Sequence, residues 1–256
     1  MDDTQQALSE LHAWQKRMEA RPGLLSKLTR RMQHKVNTLI PERVHATVTA
    51  LIRQMVKVVL VGSHYTTAAP LRDVPLNERE MRVLQKITTY RKAAAVEGGV
   101  TGAGGILLGL SDFPLLMTIK LKLLFEIAAL YGYATEDYRE RIYLLLIFQL
   151  AFSNPTQRHA TYLKLLQWHD YSEQLPDSVQ AFDWRSFQQE YRDYIDLAKL
   201  VQLLPVVGAP VGAAVNYRLL KTLGDTAMNA YRLRWFAEAD QHKPAFTNGQ
   251  LQKKSV

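Results

Sequence analysis

There is no cysteine in the 256 residues, so neither disulfides nor thiolate metal sites are available. That absence fits a reducing compartment. Long apolar runs are missing too. Residues 200–217 carry no charge, but Pro205 and Pro210 interrupt them and the stretch is 18 residues long, just short of the roughly 20 that a spanning helix needs. Residues 98–119 are long enough but contain Asp112 near their middle, where a charge is costly in a bilayer. Residues 142–157 stop after 16 uncharged positions. Each stretch fails on length, charge or helix breaking, and burial in a protein core is the expectation. The opening MDDTQQALSE is acidic and polar, so it is not expected to act as a secretory signal.

Known chemistry is equally sparse. No lysine follows the glycines in the GxxxxGK[ST] order, and Gly102 and Gly104 are followed by Leu107 where a dinucleotide fingerprint needs glycine. Ser111 sits in Gly109-Leu-Ser-Asp-Phe113, which lacks the second glycine of a nucleophile elbow. The seven histidines form no pair at metal-ligand spacing. His169 and Asp170 adjoin in a stretch, 169–182, that reads as a polar loop. No metal and no cofactor is expected.

What is present is helical periodicity and localised charge. Residues 5–20 place Leu11, Trp14 and Met18 on one stripe. Residues 24–40 place Leu25, Leu28, Met32, Val36 and Leu39 on one face, with Lys27, Arg30, Arg31 and His34 opposite. Residues 42–61 repeat Val44, Val48, Leu51, Met55 and Val59 at helical spacing. Asn77 followed by Glu80 resembles a capping box that opens a helix to about Ala95. Ser111-Asp112-Phe113-Pro114 reads as a second start, with Asp112 as cap and Pro114 in the first turn. The apolar helix that follows, 115–131, meets a natural stop at Gly132. Ile142–Phe152 is apolar on most sides and reads as central, and Asn154-Pro155 restarts the chain into a helix over 156–168. Asp183 opens a helix to about Leu204, and a last helix runs through Leu219, Leu223, Ala227 and Tyr231 to Trp235.

Two glycine-rich apolar segments, Glu97–Gly109 and Leu203–Asn216, organise the pattern. Each glycine inside a helix costs about 1 kcal/mol relative to alanine, so close backbone approach is the expected return. Gly98 and Gly102, Gly105 and Gly109, and Gly208 and Gly212 have small-xxx-small spacing, which allows tight crossing. The fold expected is all-α, a multi-helix bundle around these two segments. Residues 1–76 supply basic amphipathic helices, 77–240 the main helical domain, and 241–256 a disordered tail. Candidate catalytic residues are Glu97, Asp112 and Asn216, with Thr101 beside them. Helix capping by Asp112 and an interhelical hydrogen bond from Asn216 are the structural readings of the same residues.

Charge adds a partner class. Net charge is +8. Residues 11–60 alone hold ten Lys and Arg against Glu19 and Glu42, so the excess sits in one stretch. A concentrated excess suits a polyanionic surface. Residues 24–60 have no Phe, Tyr or Trp, and interleaved aromatics are what single-stranded nucleic acid wants. The expected partner is therefore an anionic membrane surface, or a membrane protein, rather than nucleic acid. Lys27, Arg30, Arg31 and Lys35 would contact headgroups.

Two stretches together resemble the EcsC family of bacterial proteins. One is Val96-Glu-Gly-Gly-Val-Thr-Gly-Ala-Gly-Gly105 with Asp112-Phe-Pro114 and Leu130-Tyr-Gly-Tyr133. The other is Leu204-Pro-Val-Val-Gly-Ala-Pro-Val-Gly-Ala-Ala-Val-Asn216 with Ala227 and Arg234-Trp235. The likeness runs over about residues 80–236. It implies a cytoplasmic protein, peripheral on the inner membrane, and supplies no reaction, cofactor or catalytic residue. The functional expectation is a non-enzymatic helical protein at the membrane surface. The alternative is a lipid-related hydrolase with a polar site between the glycine-rich helices.

Overall fold

The computed structural model describes residues 3–20, 50, 53–56, 59, 68–102, 105–153, 155–183, 185–187 and 209–241, without the side chains of 98–102, 105–114, 116, 155–156, 179, 209–212 and 240–241. The basic helix expected over 24–40 and the tail from 242 lie outside them. The described residues hold helices joined by short loops and no β-strand, as the periodicity predicts.

Helix α1 spans Asp3–Glu19 and buries Ala7, Leu11 and Trp14, one face at spacings of four and three. Asp3 in its first turn and Lys16 and Arg17 in its last complement the helix dipole. Within the expected helix 42–61, residues 53–56 are helical, and Met55, Val56 and Val59 are buried.

Helix α2 spans Leu76–Gly102 and buries Val83, Ile87 and Ala94. The capping box is not formed. Asn77 Oδ1 accepts from the Glu78 amide at 2.9 Å, but the Glu80 carboxylate turns inward to Arg232. The helix also continues past Ala95, through Gly98 and Gly99.

Helix α3, Gly105–Tyr131, corrects a second expectation. It starts before Ser111 and runs through Asp112 and Pro114, so Asp112 lies inside a helix and does not cap its start. An interior proline costs about 3 kcal/mol, so the packing of α3 on its neighbours has to offset it. The end of α3 is as expected. Gly132 has φ +97°. Its amide bonds to the Ala129 carbonyl and the Tyr133 amide to the Ala128 carbonyl, both at 3.0 Å. That pair is a Schellman termination. Arg79 reinforces it from α2 by donating to the carbonyls of Leu71, Val74 and Leu130.

Helix α4, Tyr138–Phe152, is capped by Asp137, whose carboxylate accepts from the Arg139 amide. Its Ile142–Leu150 segment is buried without interruption, so it is the central helix the sequence indicates. Helix α5, Pro155–Leu166, opens on proline, which suits a first turn. The polar stretch after it is not all loop. Trp168–Glu173 forms a short helix, α6, and Val179–Ala181 a 3₁₀ turn. Asp183 does begin a turn, accepting from the Ser186 amide at 3.0 Å.

Helix α7, Ala209–Gln241, starts within the second glycine-rich segment and packs on α1 to α5. It runs antiparallel to α2. Glu80 meets Arg232, Ile87 lies against Gly224, and Arg91 lies over Tyr217. An added Cβ at Gly224 would come within 2.7 Å of Ile87 Cγ1. Close approach at that glycine thus has an identified neighbour.

Candidate functional site

Helices α2, α3 and α7 face one another through apolar side chains broken by a few charged ones. Up the antiparallel α2–α3 interface these form rungs. Tyr131 donates to Glu80 at 3.2 Å, Lys86 pairs with Glu126 at 2.8 Å, and Tyr90 donates to Glu126 at 2.7 Å. At the next level the Glu97 carboxylate lies near enough to Lys120 for its charge to act on the amine.

Lys120 is fully buried. Desolvation pulls its pKa down to about 8, against the opposing field of the Glu97 carboxylate. On α7, Asn216 is buried as well, and its amide has no hydrogen-bond partner among the described residues. The register set by Arg91 over Tyr217 brings Glu97 toward the first turns of α7, where Asn216 sits. Of the residues singled out from sequence, Glu97 and Asn216 therefore lie toward the same end of the bundle. The side chains of Asp112 and Thr101, and the packing around Gly98, Gly102, Gly105, Gly109 and Gly212, lie outside what is described, as do all of Gly208, Lys27, Arg30, Arg31 and Lys35. Sequence reasoning missed Lys120. Its signal was a lysine at helical spacing from Met117, Leu121 and Leu124, on the face that packs.

At the other end of α2 sits a closed charge network. Arg232 Nε and Nη2 donate to the two Glu80 oxygens at 2.6 and 2.7 Å. Its Nη1 pairs with Glu10 of α1 at 2.9 Å. Burial alone would lower the Arg232 pKa, but the Glu80 hydrogen bonds and charge outweigh it and hold the guanidinium charged. This network floors an open groove of about 870 Å³ between α1, α2 and α7, rimmed by Asp3, Met81, Leu84 and Met228.

A second network ties α4 to α7. Arg234 donates to Glu140 Oε2 and Tyr231 donates to Glu140 Oε1, both at 2.6 Å. The Arg234 guanidinium lies 3.7 Å from the Tyr133 ring centroid and 4.8 Å from that of Tyr143. Glu80 and Glu140 are thus each engaged by an arginine and a tyrosine. Carboxylates so engaged staple helices and are poorly placed for proton transfer. Among the described residues no group of three potential ligands is placed to hold a metal. His169 pairs with Glu173 along α6, exposed to solvent.

The fold is thus an all-α bundle pinned by buried ion pairs, with Lys120 buried near the glycine-rich helix ends. A model of the EcsC protein family matches residues 5–236, and the chain belongs to that family. The match takes in α1 and the basic stretch after it as well as the two glycine-rich segments. The chain is 41% identical to Protein EcsC of Bacillus subtilis (strain 168) over 239 residues, covering 93% of this chain and 98% of that one. It is 25% identical to the uncharacterized protein YdbA of the same organism over 258 residues, covering 93% and 94%. No solved structure matches.

Proposed function

We propose that this protein is a non-enzymatic helical module on the cytoplasmic face of the inner membrane, held at an anionic lipid surface or by a membrane protein. The observation that carries the reading is the charge distribution. The excess of +8 in residues 11–60 equals the net charge of the whole chain. The acids of the bundle interior do not offset it, because Glu80, Glu126 and Glu140 have partners of their own. A peripheral mode agrees with the helices. Among the described residues none is long and apolar enough to cross a membrane. Flotation of the purified protein with vesicles tests this. Capture by vesicles containing phosphatidylglycerol, lost with neutral vesicles or at high salt, is expected. Failure to float with anionic vesicles at low salt contradicts lipid binding.

Lys120 favours a second reading, a lipid-related hydrolase. A buried amine with a lowered pKa beside a carboxylate is a proton-transfer arrangement. Ester turnover that disappears in both Lys120→Met and Glu97→Gln, with folding intact, supports it. Its absence from the wild type across phospholipid and simple ester substrates counts against it.

A further inference from the structure

The end of the bundle that carries the glycine-rich segments has its own surface pattern. The antiparallel packing of α2 with α3 and α7 brings three helix ends together there: the C-terminal end of α2 and the N-terminal ends of α3 and α7. Just before these ends, three large side chains face solvent. Val96 on α2 is 70% exposed, Leu115 on α3 54% and Tyr217 on α7 39%. Arg91 lies 3.9 Å over the Tyr217 ring, tying α2 to α7 at this level.

Among the described residues around them, the exposed charges are of one sign. Lys92 on α2, Lys122 on α3 and Arg218 on α7 are exposed. Over 91–97, 115–122 and 213–222, Glu97 is the lone carboxylate, and it faces Lys120 inside the bundle. Beyond this collar the helix ends are apolar in sequence. Asp112 is the one charged residue between Gly98 and Pro114, and residues 209–216 have none.

We infer that this glycine-rich end is a membrane-docking surface, with Lys92, Lys122 and Arg218 on anionic headgroups and the Val96, Leu115 and Tyr217 side chains in the interface. It rests on the membrane-surface reading above and adds a second contact to the basic N-terminal stretch. An aromatic at the boundary, basic side chains around it and apolar ends beyond is the arrangement a headgroup layer selects. A protein partner would not require the charges to be of one sign.

The test uses the full chain. Binding isotherms are measured on vesicles of 30% phosphatidylglycerol for wild type, for Lys92→Gln/Lys122→Gln/Arg218→Gln, and for Arg72→Gln/Arg82→Gln/Arg139→Gln, an equal charge loss at the far end. Basic residues near such a surface contribute about fivefold each, so about a hundredfold weaker partition is expected for the collar variant and little change for the control. Because the chain has no cysteine, Val96→Cys and Leu115→Cys can each carry a single environment-sensitive dye. Both dyes should shift to the blue and be quenched by brominated lipid, while a dye at Arg72→Cys should not. The inference requires both results. Equal losses in collar and control, or dyes that do not respond, overturn it. If the collar variant binds like wild type while Lys27→Gln/Arg30→Gln/Arg31→Gln/Lys35→Gln does not, this surface is wrong and the membrane reading stands. If the wild type does not bind vesicles, both fall.

Discussion

Glu80 and Arg232, 152 positions apart, meet in a two-pronged ion pair inside the bundle at 2.6 and 2.7 Å. That contact joins the first turns of α2 to the last third of α7 and recruits Glu10 from α1. Removing one partner leaves the other charge buried. Arg232→Met should therefore cost about 3–5 kcal/mol in chemical denaturation. The double variant Glu80→Leu/Arg232→Met should recover most of that loss, because no charge remains stranded.

Lys120 makes stability depend on pH in a definite direction. Its folded pKa is about 8, below the ordinary 10.5. Between those values the unfolded chain binds the proton and the folded one releases it. Stability from this group therefore rises as pH climbs from about 8 to 10.5, by an amount on the order of 3 kcal/mol, and is flat below 8. The difference between wild type and Lys120→Met, followed by denaturation across that range, should show the rise. A difference that stays constant from pH 7 to 10.5 contradicts the buried placement.

Gly224 and Ile87 should couple. A methyl group on Gly224 would press on three Ile87 carbons at 3.0 Å or closer. Gly224→Ala should cost about 1–3 kcal/mol from overpacking, and clearly less in an Ile87→Ala background. Additive losses in a double-mutant cycle would show that the two positions do not touch.

Gly132 is needed for a different reason. At φ +97°, an alanine is strained, and its Cβ would lie 2.9 Å from the Leu71 carbonyl oxygen. Gly132→Ala should destabilise by about 1–3 kcal/mol. Gly132→Asn, which tolerates the left-handed region better, should lose less of the conformational part and still meet the Leu71 carbonyl.

Where local rules and packing agree, the fold was legible. Ile142–Phe152 is apolar on most sides and lies in the buried central helix, and Gly132 ends α3 as its position suggests. Where packing overrides propensity, it was not. The helix expected to end near Ala95 runs on through Glu97-Gly-Gly within α2, and Pro114, read as part of a helix start, lies within α3. Both helices have long neighbours that compensate for residues that would break them in isolation. The ion pairs were invisible because nothing local marks Glu80 for Arg232 or Glu140 for Arg234. Lys120 was masked by its apolar neighbours, which drew attention to the helix and away from the buried lysine within it.

By the proposed function, this chain works at an anionic membrane surface through localised positive charge. The most direct measurement is its partition coefficient onto vesicles of graded phosphatidylglycerol content at several salt concentrations. The account predicts partition that rises steeply with anionic lipid, falls steeply with salt, and weakens strongly when Lys27, Arg30, Arg31 and Lys35 are changed to glutamine. Partition that is absent, or indifferent to lipid charge and salt, would contradict it.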